Sequence, residues 1–499
     1  MQNKNIKFKI ILFCIIFFGG FLLWQKVDAA TYYIDYENGL DSNNGTSTET
    51  PWKICPGMNG FAGSYAHSAG DKFIFKGGVT WPAAALPLTI GYSGENGNVD
   101  VYTSNKTWYN GASWTRPTFD AENQLADYAS IIYSLNKTHF TLEYIKITGA
   151  GLEGADDDKS YGVTLNGSGG TGLNGVTIQY MELIPFSASN LVLAACGGGA
   201  TTTGLVIQYN TFYGSMNHIQ MGCTDNTSTV DGMIIRGNTF SGYTQLSSSG
   251  DHPDGIHFHN KDGALRRFSN LEISGNKFYG QWMTSNTAQV NFEDSVSSAK
   301  IFNNVFTLNN TVGVGKYIFS PGQVAIYGSD NVEIYNNTFC ADTIGGTPNW
   351  PLTNITFSVG LSAYSGTFKV KNNIFSGARN SVIYATTMTV DIDYNLHTLS
   401  FSGSPGSWDA NSKTWEQWQA QGNDLNGATG DSKFVTISTD LSLQSDSPAI
   451  NEGVDLSASI SASDYLGNAR TGLWDIGAYE YGATADTIAP AAPNGLAVS

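Results

Sequence analysis

Along most of the chain apolar residues occupy every second position, and the alternation keeps returning to one short phrase. It reads GLVIQYNTF at 204–212, GMIIRGNTF at 232–240, NLEISGNKF at 270–278, AKIFNNVF at 299–306, NVEIYNNTF at 331–339 and FKVKNNIF at 368–375. Each copy closes on an Asn, one further residue and a Phe. The Asn positions (Asn210, Asn238, Asn276, Asn304, Asn337 and Asn373) lie 28 to 38 residues apart. A period of two predicts strands with one buried face. Self-similarity at this longer spacing predicts stacked units that bury their apolar faces on one another. Asn tolerates a left-handed backbone, so it suits a one-residue corner between two strands; stacked corners would align their amides into a ladder.

A further strand precedes the phrase in several copies: YGVTLNG from Tyr161, NHIQMGC from Asn217, DGIHFHN from Asp254, AQVNFED from Ala288 and QVAIYGS from Gln323. Three strands per turn predict an all-β chain, a right-handed parallel β-helix solenoid of about nine or more coils between Ser130 and His397, with N- and C-terminal caps. At about 4.8 Å per coil the stack would be roughly 40 Å long. A β-propeller would want antiparallel blades of about 40 residues and a blade signature, which the chain lacks. The one helical candidate is TWEQWQAQG at 414–422.

Residues 1–29 read as a signal peptide: Lys4, Lys7 and Lys9, an apolar run from Ile10 to Leu23, then small residues up to Ala29. The run is short for a transmembrane span. The expectation is a secreted or cell-surface protein with no membrane span after cleavage; an uncleaved anchor is the alternative. Removing 1–29 takes away four lysines and one aspartate, so the formal charge moves from −17 to −20. That balance argues against nucleic acid and anionic membrane surfaces as partners, and makes a polyanionic substrate awkward unless cations or a local basic loop intervene. The expected state is a monomer. Cys196 and Cys223 fall in one column of neighbouring coils, either as a disulfide or as two stacked buried thiols.

The stretches 31–58 and 69–81 resemble the opening of exported bacterial parallel β-helix proteins of the pectate-lyase-like superfamily, and 415–427, 442–453 and 464–481 resemble their closing part. The resemblance implies an N-terminal cap with the first coils over 30–128, the β-helix over 129–397 and a C-terminal cap region over 398–481. It covers nearly all of the mature chain and implies a fold more than an activity. Residues 482–499 read as a Pro- and Ala-rich linker, ending like the first strand of a fibronectin type III module.

One segment breaks the apolar monotony: SGDHPDGIHFHNKDGALRRF at 249–268. On a strand, Ile256 and Phe258 share one face, so His257 and His259 share the other. Stacking coils in register sets His257 between Gln220 and Asn291, and His259 between Gly222 and Glu293, with Tyr327 next. His218, Asp251, His252 and Asp254 fall nearby. Imidazoles, carboxylates and a phenol on an outward patch suit general acid–base work. Lys261, Arg266 and Arg267 would hold a uronate carboxylate. A divalent ion on His257, His259 and Glu293 is a further possibility, and solvated surface is the plain alternative.

HPDGI around Asp254 is similar to the Asn-Thr-Asp-Gly element of polygalacturonases, which implies a catalytic Asp254; the other elements of that family are missing. Calcium-dependent lyases of this fold pair acidic clusters with a Lys or Arg base, which Glu293, Asn291, Lys261 and Arg266 would supply. Asp156, Asp157 and Asp158 could bind Ca²⁺ or form a solvated turn. Tyr213, Tyr243, Tyr279, Trp282 and Trp350 are candidates to stack on sugar rings. The favoured expectation is a uronate-polysaccharide lyase with His257 or Lys261 as base, Arg266 and Asn291 on the carboxylate, and Tyr327 or His259 as acid. His218, Gln220, Arg267 and Trp282 would add substrate contacts. The alternatives are a glycoside hydrolase using Asp254 and Glu293, and a non-catalytic glycan-binding or adhesin-like solenoid.

Overall fold

The computed structural model describes residues 28–149, 160–184, 188–223, 225, 227–243, 254–260, 267–279, 288–307, 322–340, 353–358, 366–378, 380–385, 387–399, 404–408, 411–437 and 439–482. Three sheets of 12 strands run its length. The first begins at Thr31–Ile34 and ends at Thr389–Asp393. The second runs from Leu88–Ile90 to Asn411–Ser412, and the third from Thr80–Trp81 to Ala428–Thr429. Each coil gives one strand to each sheet, and successive coils pair in parallel; within the three large sheets only the closing Ser404–Trp408 and Asn411–Ser412 pair is antiparallel. This is a parallel β-helix. Nine strands of the second sheet lie between Ser130 and Tyr384.

The Phe of the repeated phrase fills the interior. Rings of Phe212, Phe240, Phe278, Phe306, Phe339 and Phe375 stack with centroids 4.6 to 5.3 Å apart, each contact worth about 0.5–1.5 kcal/mol beyond burial. The Asn forms the expected column. From Asn210 to Asn373, each Nδ2 donates to the Oδ1 one coil ahead at 3.0 or 3.1 Å, and the series continues through Asn395 to Asp424. The left-handed corner, however, is not the ladder Asn. It is the residue before it: Tyr209, Gly237, Gly275, Asn303, Asn336, Asn372 and Tyr394. The ladder side chain is committed inside the column, where its Oδ1 also accepts the backbone N–H of the Asn behind, so the bend falls one position earlier.

Cys196 and Cys223 meet in adjacent strands of the second sheet and are joined by a disulfide. At the N-terminal end Tyr32 stacks on the buried Trp52 at 4.6 Å and continues the column of Phe73 and Tyr102. At the other end helix Trp415–Ala420 starts on a capping box between Thr414 and Gln417 and buries Trp418 completely. The remainder does not stay at that end. Residues 434–478 return along the flank, burying Phe434, Leu441, Leu443 and Ile476 against Val305, Cys340, Ile374 and Leu396.

Candidate functional site

The second sheet carries the His-rich strand Asp254–Asn260. Its register pairs Gln220 with His257 and Gly222 with His259 on one side, then His257 with Asn291 and His259 with Glu293 on the other. Glu293 in turn pairs with Tyr327. Ile256 and Phe258 are fully buried in the core, which leaves the imidazoles on the outer face. A one-residue slip would reverse that, so burial of the apolar pair fixes where the histidines lie.

The centre of the site is His257. Its Nδ1 lies 3.5 Å from Asp254 Oδ2 and its Nε2 lies 3.2 Å from Glu293 Oε2. The two carboxylates differ in access: the Asp254 side chain is 0% exposed and that of Glu293 is 39% exposed. Asp254 is held from several sides. Its Oδ1 accepts the Ala288 N–H at 2.8 Å, its Oδ2 accepts Asn291 Nδ2 at 3.3 Å, and its own N–H donates to Asn217 Oδ1 at 3.1 Å. Asn291 Nδ2 also lies 3.5 Å from Glu293 Oε1. Asn217 was not among the sequence candidates; its signal is the register, one coil before Asp254 in the same column.

His259 pairs with Glu293 by register, but the ring that meets the glutamate is His257. The His259 ring leans back over Gly222, where an added Cβ would sit 2.8 Å from its Cε1. It stays 5.2 Å from the His257 ring, centroid to centroid. Burial, then the neighbouring His257, push its pKa down to about 4, against a smaller opposing pull from Glu293. His259 is therefore neutral near neutral pH. Tyr327 shifts the other way: burial, with the charges of Glu293 and Asp254, raises its pKa to about 12. It keeps its proton.

Several expected site residues lie elsewhere. His218 faces the interior, fully buried between Phe212 and Phe240, with Nδ1 2.6 Å from Asn190 Oδ1. It is the second residue of strand Asn217–Cys223, ahead of the alternation that turns Gln220 outward, and does not reach the outer face. Asn291 is also fully buried and acts on the two carboxylates rather than on a ligand. Asp254 is enclosed to the same degree, behind His257 Nδ1. Gln220 remains half-buried on the outer face, accepting Ser189 Oγ at 3.2 Å. Arg267 is buried just before strand Phe268–Ser269. Asp156, Asp157, Asp158, Asp251, His252, Lys261, Arg266, Trp282 and Trp350 lie outside the described residues. Among the described residues, no three His, Cys, Asp or Glu side chains are grouped to hold a metal ion.

Solved structures share this architecture. Pectate lyase Pel9A superposes with a TM-score of 0.53 at 17% identity, over 90% of this chain and 96% of that one. The likeness is one of fold. Alginate lyase from Paenibacillus sp. str. FPU-7 gives a TM-score of 0.41 at 13% identity, covering 66% and 91%. The GH136 lacto-N-biosidase from Eubacterium ramulus gives 0.39 at 12%, covering 77% and 67%. No family model matches the sequence, and a search of curated proteins finds no match.

Proposed function

We propose that the protein is an exported polysaccharide lyase acting on a uronate-containing glycan, with His257 as the base. The observation that carries this reading is the chain Asp254–His257–Glu293, with Tyr327 in register on the next coil. Asp254 behind Nδ1 fixes the ring, so that Nε2 points to the position now taken by Glu293 Oε2. A C5 proton of a uronic acid brought to that position passes to Nε2, and the buried carboxylate of Asp254 stabilises the imidazolium formed. The electron pair left at C5 forms the C4–C5 double bond as the C4–O bond breaks. The leaving oxygen takes its proton from Tyr327, which holds one at neutral pH, whereas neutral His259 lacks the imidazolium proton that would make it an acid. Lys261 and Arg266 are the proposed partners of the uronate carboxylate. No step is routed through Ca²⁺, because the described acidic groups flank His257 instead of converging.

Hydrolysis with Asp254 and Glu293 as the working pair is disfavoured by the burial of Asp254. The test is incubation with pectate, alginate and glycosaminoglycans, with and without Ca²⁺, following ultraviolet absorbance of new unsaturated ends. Activity that falls by about 10²-fold or more in His257→Ala supports the reading. Reducing ends without absorbance would point to a hydrolase instead, and silence on every substrate to binding alone.

A further inference from the structure

A recess lies on a different face from His257, along the first sheet, where the returning chain at 457–467 spans its strands. It encloses 910 Å³, and its lining includes Tyr209, Arg236, Gly237, Glu272, Gly275 and Lys300. The corner column explains why a recess forms there. Tyr144, Tyr180 and Tyr209 occupy three successive corners and stack ring on ring, with centroids 4.9 and 5.3 Å apart. The next two corners are Gly237 and Gly275. A Cβ on Gly237 would lie 2.6 Å from Tyr209 Cδ1 and Cε1, on the face of the ring; one on Gly275 would meet only the Gly237 nitrogen, at 3.9 Å. The tyrosine stack thus ends on Tyr209, a half-buried ring that leans over Gly237 and lines the recess with no side chain from the next two corners in front of it.

Polar groups around that face are fixed. Arg236 Nε donates to Gln208 Oε1 at 2.8 Å, at the end of a side-chain series running through Gln179 to Glu143. Glu272 accepts Ser274 Oγ at 2.6 Å, and Lys300 donates to the Ser459 carbonyl across the recess. Glu333 of the lining is paired with Lys369 at 2.7 Å, so Glu272 and Asp464 stand against Arg236 and Lys300 and the lining carries no excess of either charge to select a charged sugar. An aromatic face beside alternating donors and acceptors matches a neutral sugar, with its apolar ring face and its rim of hydroxyls.

We infer that this recess is a non-catalytic binding site for a neutral oligosaccharide, one pyranose stacking on Tyr209 and its hydroxyls bonding Arg236 and Glu272. The site is separate from His257, and the inference stands whether or not the lyase reading does. Calorimetric titration of the full chain with xylohexaose, cellohexaose, mannohexaose and maltohexaose tests it, with hexagalacturonate as the charged comparison. At least one neutral hexaose is expected to bind. Tyr209→Ala, and independently the exposed Arg236→Ala, should each weaken binding by about tenfold or more, with unfolding midpoints recorded to confirm folding. His257→Ala should bind as the parent does. The inference is overturned if no neutral hexaose binds at millimolar concentration, if folded Arg236→Ala and Tyr209→Ala both bind undiminished, or if hexagalacturonate alone competes for the recess.

Discussion

Two imidazoles in this molecule have been moved far from their ordinary titration range, for different ends. His218 is enclosed by Phe212 and Phe240, and burial takes its pKa from 6.5 to about 3. His259 is taken to about 4. A folded-state pKa below the unfolded one means that the unfolded chain binds the extra proton first as pH drops. The stability held by these neutral rings is therefore complete above about 6.5 and is lost as pH falls towards 4 for His259 and 3 for His218, at up to ~1.4 kcal/mol per pH unit for each group. Urea unfolding midpoints at about pH 7 and about pH 4 should differ clearly in the parent and less in His218→Gln, which keeps an amide for Asn190 and loses the titration. An unchanged pH dependence in that variant would place the acid sensitivity elsewhere. At the Gly222 position, where the His259 ring rests, Gly222→Ala should displace that ring; an imidazole titration in the variant nearer 6.5 by NMR would show it.

At the scale of the strand and its corner, the repeat phrase carries two interior columns at once, and each was legible for a separate reason. Phenylalanine at a fixed offset has only one place to go in a stacked coil. An amide at a fixed offset has only one set of partners that saturates it. The position of the left-handed residue was not legible, because Asn is acceptable both as the corner and as the ladder. Only hydrogen-bond demand separates the roles: Asn276 receives Asn238 N and Nδ2 and donates to Ile235 O and Asn304 Oδ1. Asn276→Ala leaves these groups unpaired in a dry column and should cost about 2–4 kcal/mol in chemical denaturation. Asn270→Ala, on an exposed corner of the same coil where φ is +52°, should cost less, about 1–2 kcal/mol, mainly from the left-handed backbone. In the candidate site the same rule held: parity and register gave the neighbours of His257, while the burial of Asp254 and Asn291 came from enclosing coils that no single strand reveals. His218 escapes strand parity: it is the second residue of its strand, one before the inward Ile219, and yet its ring also turns inward.

As a whole molecule the protein is a rod with a strap. Residues 449–478 lie across coils to which they are not adjacent in sequence, tied to them by Arg470 through Asn303 Oδ1, while the same guanidinium binds the Gly477 carbonyl and Glu480 within the returning segment. Arg470 is nearly fully buried, so Arg470→Ala would strand the Glu480 charge. Limited proteolysis should then cut within 453–467 much faster than in the parent, while the coils, which depend on nearest neighbours, stay protected. Equal cleavage rates would show that the remaining contacts, the Asn303, Asn336 and Asn372 amides among them, hold the strap without Arg470. The amide column also has a defined end. Every Asn in it both receives and gives, and so hands the bond on like a monomer with two reactive ends. Asp424, which follows Asn395, receives that bond but has no amide proton to pass forward, and its other oxygen is taken by His397 and Trp418. It is the chain terminator of the series: one carboxylate in place of one carboxamide ends the run of handed-on bonds, and Asp424→Asn would leave that run with a live end.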